Sequence, residues 1–368
     1  MVIVKTNRDA LLAPLSAVSG VIERRHTLPI LSNVLMDIAD KNVVLIATDI
    51  EIQISARTII AAGSDFRPCT VSARKLLDIL RALPEGVEVA LQAQDKRIQL
   101  KAGKSRFTLQ TLPAEDFPRL ARPQGESSRF TVPQKALRKL LGLVQYAMAQ
   151  QDIRYYLNGL LMVLEEGTLK LVSTDGHRLA YAETSLDGEL SRQEVIVPRK
   201  TVIEMSKLLA DSDDPVNVDL SPTQAAFTFG SVELVTKLID GKFPDYTRVI
   251  PTQEKNKLVI DRETLRQALM RAAILSNEKF RGVRWVISDG SLKIVSSNAE
   301  QEEAQEELDV KYSEANLDVG FNVNYLLDAL NNVGGEQVEC SFGDAASSAL
   351  IKFPSEPDFK YVVMPMRI

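Results

Sequence analysis

The chain has 368 residues, 45% hydrophobic and 25% charged, and its 44 Lys and Arg against 49 Asp and Glu leave a net charge of -5. At about 100–200 residues per domain the length implies two to three domains. The composition excludes a disordered chain, and no apolar run approaches the ~18 residues of a bilayer span. A net negative charge taken alone argues against nucleic acid, because phosphate contacts supply most non-specific affinity.

Read in chain order, MVIVKTNRDA alternates like a strand and turns helix-like within ten residues, without the basic and apolar regions of a secretory signal. A cytoplasmic protein is expected. Leu45-Ile-Ala-Thr-Asp49 closes an alternating apolar run, Val71-Ser-Ala-Arg-Lys-Leu-Leu opens a helix, and Phe117-Pro118 ends the segment. The same three landmarks return as Leu171-Val-Ser-Thr-Asp175, Val197-Pro-Arg-Lys-Thr-Val-Ile and Phe243-Pro244. Ile294-Val-Ser-Ser-Asn298 and Phe321-Asn-Val-Asn-Tyr-Leu-Leu repeat the first two again, and that last copy ends in Tyr361-Val-Val-Met-Pro-Met-Arg-Ile368.

Three landmarks in one order, at a period of roughly 125 residues, identify an internal repeat. Polar stretches near 121–129 and 251–257 have linker composition, which sets the expected domains at 1–121, 129–250 and 257–368. Each copy reads strand, helix, several strands, helix, several strands. The expected class is α+β, with two helices packed on antiparallel sheet.

In the first helix of the second copy Leu137, Leu140, Leu141, Val144 and Met148 form one apolar stripe, with Lys135, Arg138 and Lys139 mostly elsewhere. The third copy sets Leu265, Ala268, Leu269 and Ala272 against Arg262 and Arg266. The second helices carry Arg74, Arg81, Arg199, Lys200 and Lys207. Arg199 and Lys200 stand near a helix start, against the dipole preference, so something must compensate, and a nearby polyanion would.

Charge is segregated. Lys96 to Arg106 holds five cations and no acid, whereas Asn298 to Asp309 holds six acids and no base. The bland reading is two solvated faces. The sharper one is a head-to-tail contact between complementary patches, which must close into a ring or propagate, with Ile274 and Leu275 and, in the first copy, Phe107 and Leu109 as its apolar centre.

The remaining motifs exclude most enzyme chemistry. Cys69 and Cys340 are the only cysteines, so no disulfide framework or Cys-x-x-Cys site exists. His26 and His177 are the only histidines, and neither a dinucleotide nor a nucleoside-triphosphate glycine loop occurs. His177 beside Asp175 is the one candidate acid–base pair, and it lacks a nucleophile motif.

Ile153-Arg-Tyr-Tyr-Leu-Asn-Gly159, Ser173-Thr-Asp-Gly-His-Arg-Leu-Ala180, Gly241-Lys-Phe-Pro-Asp-Tyr246, Asn277-Glu-Lys-Phe-Arg-Gly-Val283 and Val362-Val-Met-Pro-Met-Arg367 resemble the bacterial DNA sliding clamp family, the beta subunit of DNA polymerase III. The resemblance runs essentially from Met1 to Ile368. It implies the DNA clamp fold: three similar domains per chain, two chains head to tail in a ring, helices lining a hole for duplex DNA, and no cofactor or metal.

The resemblance also implies a non-enzymatic processivity factor, cytoplasmic and nucleoid-associated. Its partners would be duplex DNA, the polymerase III alpha subunit, the clamp loader and other polymerases and repair proteins carrying short clamp-binding motifs. Carried over by position, a cleft between the second and third domains would use Leu157, Thr174, Gly176, His177, Arg178, Leu179, Pro244, Arg248, Val249, Phe280, Val362, Met364, Pro365, Met366, Arg367 and Ile368. DNA contacts would fall on Arg25, Arg74, Gln151, Tyr155 and Tyr156. The chain departs from the family pattern at His26, where proline is common, at Ala346, where the cleft usually has valine, and at Ile368 in place of leucine.

Overall fold

Three passes of one element order build the chain. The first is β1 (Ile3–Asn7), α1 (Arg8–Ser19), β2 (Asn33–Ala39), β3 (Asn42–Thr48), β4 (Ile52–Ile59), β5 (Phe66–Ser72), α2 (Ala73–Ala82), β6 (Glu88–Gln94), β7 (Arg97–Ala102) and β8 (Ser105–Pro113). The second is β9 (Ser128–Pro133), α3 (Gln134–Val144), β10 (Gly159–Glu165), β11 (Thr168–Thr174), β12 (Arg178–Ser185), β13 (Gln193–Pro198), α4 (Arg199–Leu208), β14 (Pro215–Leu220), β15 (Gln224–Phe229) and β16 (Val232–Lys237). The third is β17 (Lys257–Asp261), α5 (Arg262–Ile274), β18 (Gly282–Ser288), β19 (Ser291–Ser297), β20 (Glu303–Asp309), β21 (Leu317–Asn322), α6 (Val323–Asn332), β22 (Gln337–Ser341), β23 (Ala349–Phe353) and β24 (Glu356–Val363). This computed structural model describes residues 3–23, 28–39, 42–60, 66–94, 96–125, 127–188, 191–252 and 255–367.

The chain forms two compact units, residues 1–137 with 200–238 and residues 138–199 with 239–368. The first holds a sheet ordered β1-β6-β7-β8-β5-β2-β3-β4-β16-β15-β14-β9. The second holds β13-β10-β11-β12-β24-β23-β22-β17 and a separate sheet β20-β19-β18-β21. Pairing is antiparallel, and each long sheet has a seam made alike: β4 takes β16, with Ala56 opposite Val232, and β12 takes β24, with Arg178 opposite Val363.

The repeat landmarks have a physical cause. In the turn after β3, Thr48 Oγ1 donates to the Ile52 carbonyl and Asp49 Oδ1 accepts from the amides of Glu51 and Ile52. After β11, Thr174 Oγ1 donates to the Arg178 carbonyl and Asp175 Oδ1 accepts from the amides of His177 and Arg178. After β19, Asn298 Oδ1 accepts from Glu300 and Glu302. An Asx side chain at a strand end thus imitates a backbone turn three times. A left-handed residue follows in the first two, Ile50 at φ 73° and Gly176 at φ 90°.

Helix ends repeat a device as well. Arg8 Nε donates 2.7 Å to the Leu80 carbonyl, and Arg262 donates to the carbonyls of Leu330, at 2.5 Å, and Gly335, at 2.8 Å. A cation from the first helix of the copy thereby satisfies carbonyls at the end of the second, where the dipole favours it. Asp261 caps α5 by accepting from the Thr264 amide. Leu265, Ala268, Leu269 and Ala272 are buried as the periodicity predicts. Met148 is buried too, but not on the helix. α3 stops at Val144 and a 3-10 turn, Gln145–Ala147, delivers Met148 in extended conformation.

Candidate functional site

A cavity of about 220 Å³ opens in the second unit, lined by Arg154, Tyr156, Leu157, Thr174, Gly176, His177, Arg178, Leu179, Phe243, Pro244, Tyr246, Val249, Val362 and Met364. Its floor is an apolar cluster in which Leu157, Leu179 and Val362 are 1–2% exposed. The β12–β24 seam supplies that floor, since Leu179 faces Val362 across the ladder. Beyond β24 the chain stays attached: the Met364 amide donates 2.9 Å to the His177 carbonyl, and the Met366 amide donates 2.8 Å to Gly320. Met364 remains 48% exposed at the rim. An apolar trough this small takes one or two side chains rather than a whole cofactor.

Charge at the rim is internally matched. Arg154 meets Asp152 through two nitrogens and the Asp175 carbonyl through a third contact. The Asp152 carboxyl is held at about 2, first by the Arg154 side chain and then by its amide. Arg248 pairs with Asp245 at 3.0 Å.

Arg178, with a side chain 9% exposed, binds the carboxylates of Asp175 and Asp328, the Tyr361 hydroxyl and the Tyr146 carbonyl. Burial works against its charge, but Tyr361, Asp328 and Asp175 outweigh that and raise it above the arginine range. Asp175 accepts from the backbone of His177 while the imidazole stacks on Tyr325 at 6.5 Å. That is wall geometry, not an Asp–His dyad, whose carboxylate must orient a ring nitrogen.

Ten of the residues expected in the cleft therefore line one cavity. Arg248, Phe280, Pro365, Met366 and Arg367 do not line it: Phe280 is 57% exposed under the Lys279 ammonium, and Met366 bridges to Gly320. Ala346 lies on an exposed turn. Ile368 lies outside the described residues. Arg154, Phe243 and Tyr246 line the cavity without an expected role there, although the Ile153 to Gly159 and Gly241 to Tyr246 motifs enclose all three.

The residues expected on DNA separate. Arg25, with His26, lies outside the described residues. Arg74 is exposed on α2. Gln151, at φ 56°, and Tyr155, 57% exposed, share the loop before β10, but Tyr156 turns inward and packs on the cavity's apolar cluster. Its ring is half-buried and also lines the cleft.

The compensation at Arg199 and Lys200, expected from a polyanion, comes from groups of the chain itself. Lys200 pairs with buried Asp49 and, at 3.1 Å, with Glu23, while Arg199 donates 3.2 Å to the Met148 carbonyl. Lys135, Lys139, Lys207, Arg262, Arg266 and Arg271 are likewise engaged by side chains or carbonyls of the chain.

The acidic run ends on an open strand edge, whereas the basic run spreads over β7, which is paired on both sides, and its turns, with only Arg106 on β8. Among the described residues β20 pairs only with β19, and its alternate residues Glu303, Gln305, Glu307 and Asp309 are exposed. β8 pairs with β7 from Ser105 to Gln110, and only from Thr111 onward does it meet β5. Ile274 is 74% exposed and Leu275 half-buried. Phe107 is half-buried, but Leu109, expected beside it at a contact, is 8% exposed opposite Ile98 in its own sheet. Leu109 belongs to the core because it falls on the inward face of the strand.

Comparison with known proteins agrees along the whole chain. The N-terminal, central and C-terminal domain models of the DNA polymerase III beta subunit match residues 2–121, 131–245 and 247–367. The beta sliding clamp of Pseudomonas aeruginosa is 47% identical over 364 residues, covering 98% of both chains. That of Escherichia coli K12 is 46% identical over 361, again covering 98% of both.

Among solved structures, the DNA polymerase III subunit beta of P. aeruginosa superposes with a TM-score of 0.96 at 46% identity over 100% of both chains. A Bartonella birtlesii sliding clamp bound to griselimycin gives 0.95 at 36%, also over 100% of both. Three copies of one α+β unit, the apolar cleft on the β12–β24 seam and these matches place the chain in the DNA polymerase III beta subunit family, the non-enzymatic DNA sliding clamps of bacterial replication.

Proposed function

We propose that two copies of this chain close head to tail around duplex DNA, each with domains at 1–121, 129–250 and 257–368. The seams carry this reading. Inside the chain the third inner strand of one copy receives the last strand of the next, β4 with β16 and β12 with β24. β20 is the third inner strand of the last copy and β8 the last strand of the first, and each has an open edge. Joining β20 of one chain to β8 of another completes the pattern, satisfies both edges and brings the acidic strand to the sheet whose β7, turns and Arg106 carry the basic run. Ile274, Leu275 and Phe107 would form the apolar centre of that contact.

Inside the ring, Arg74 and the Gln151–Tyr155 loop would touch DNA backbone or unpaired bases without reading sequence, together with Arg25. Outside, the cleft would receive leucine or phenylalanine anchors of short motifs on the polymerase III alpha subunit, the clamp loader and repair proteins. Each buried anchor is worth roughly 1.5–3 kcal/mol. Arg248, Phe280 and the tail from Met364 to Ile368 would act as an outer rim. Cytoplasmic, nucleoid-associated location follows from the DNA partner.

Deleting Met364 to Ile368 tests the tethering role. The deletion removes two backbone hydrogen bonds, about 1 kcal/mol each, but no strand of the sheet. Calorimetric titration with a polymerase-derived peptide should show at least about tenfold weaker binding, roughly 1.4 kcal/mol, with the dimer intact. Met364→Ala, which keeps both backbone bonds, should give most of that loss. Unchanged affinity in both variants contradicts the site.

Gly176→Ala probes the same wall. The backbone there lies at φ +90°, and an added Cβ would sit 2.8 Å from Arg154 Nη1. A cost on the order of 1 kcal/mol or more in stability is expected, read by thermal melting, together with weaker binding of the same peptide as Arg154 is displaced.

A further inference from the structure

Arg178 is the most heavily engaged side chain near the cleft, and three of its five partner residues come from α6 or the strand beside it. One edge of the guanidinium meets Asp175 at 3.1 Å, in the turn that forms the cleft wall. Another nitrogen meets the Asp328 carboxylate on α6 and, at 3.4 Å, the Tyr361 hydroxyl. Its plane lies 4.5 Å from the ring centre of Tyr325, one helical turn before Asp328, and His177 stacks on that same ring. Tyr361 in turn donates 2.9 Å to the Tyr325 carbonyl. The Arg178 side chain is 9% exposed and that of Asp328 is 41% exposed. The helix carboxylate is thus the solvent-facing end of a buried clamp.

We propose that Asp328 is a positioning residue for the cleft: by holding Arg178 against Tyr325 it fixes the Gly176–His177 wall, and so couples the conformation of α6 to the affinity of the cleft. The inference rests on the reading of the cleft as the partner site. A buried guanidinium that loses one of two carboxylates keeps its charge but not its fork geometry, and a wall free to move lowers affinity by removing preorganisation. Because coupling is reciprocal, a ligand in the cleft should also hold α6 more tightly.

Asp328→Asn keeps the size of the side chain and sits at a solvent-reachable helix position. With only two histidines in the chain, the ring resonances of His177 are readily assigned in a carbon–proton correlation spectrum. The full-length variant should remain dimeric, shift the His177 ring signals by changing its position against the Tyr325 ring, and bind a polymerase-derived peptide with leucine and phenylalanine anchors at least about fivefold more weakly. Arg178→Lys, which keeps charge without the fork, should shift His177 in the same direction. Unchanged affinity and an unmoved His177 in the Asp328 variant overturn the positioning role while leaving the cleft intact. A wild-type chain that binds no such peptide overturns the cleft reading and this inference with it.

Discussion

Replacing Ile274 and Leu275 together with alanine should turn the dimer into monomers at nanomolar concentration while leaving the fold in place. Ile274 is 74% exposed in the single chain, so its truncation forfeits little packing within one protomer. At a closed contact both side chains would be buried, and truncating buried aliphatics costs about 2–5 kcal/mol each. Every 1.4 kcal/mol is about tenfold in dissociation constant, so the pair should weaken the dimer by several orders of magnitude. Light scattering or sedimentation across a dilution series reads the mass, and thermal melting checks that the monomer is folded. A variant that stays wholly dimeric at nanomolar concentration removes these residues from the interface.

Equilibrium binding to open linear DNA should be weak and should vanish at moderate salt. The chain carries a net charge of -5, and most of its helix cations are already engaged by its own carboxylates and carbonyls. Among the described residues, Arg74, Lys75 and Arg81 on α2 and Arg138 on α3 are the helix cations for which neither a carboxylate nor a carbonyl partner is seen. Few free phosphate contacts mean a shallow dependence on salt and a low starting affinity, screened over about 8 Å at physiological ionic strength. Fluorescence anisotropy on a linear duplex across a salt series measures both. A salt slope matching many phosphate contacts would contradict this part of the account.

The repeat was legible because its landmarks are local. Thr48-Asp49 and Thr174-Asp175 fold their own turns through side-chain bonds spanning four residues, so the sequence pattern and the structure carry the same information. The stripe Leu265, Ala268, Leu269 and Ala272 is local in the same way. What failed depends on distant partners. Lys200 reads as a free cation until Asp49, from another copy of the repeat, is brought beside it. Leu109 reads as a candidate contact until strand alternation turns it inward.

Tyr156 and Tyr155 are neighbours of one type, and nothing along the chain tells which ring enters the cleft. The cleft's own location is equally non-local. Gln53 occupies the place in its turn that Leu179 has in the second copy, and it exchanges two hydrogen bonds with the backbone of Leu120. The corresponding apolar side chain, Leu179, makes no such bond and instead lines the cavity.

Lifetime on circular against cut DNA tests the account most directly. If the ring holds DNA by enclosure, chain placed on a nicked circle by a bacterial clamp loader should persist at salt that abolishes binding to linear duplex, and should leave promptly when one restriction cut opens the circle. Gel filtration of labelled chain with the DNA, before and after cutting, gives the two lifetimes. Retention on the circle with rapid loss after the cut is the predicted result, and equal lifetimes on cut and uncut DNA would contradict enclosure.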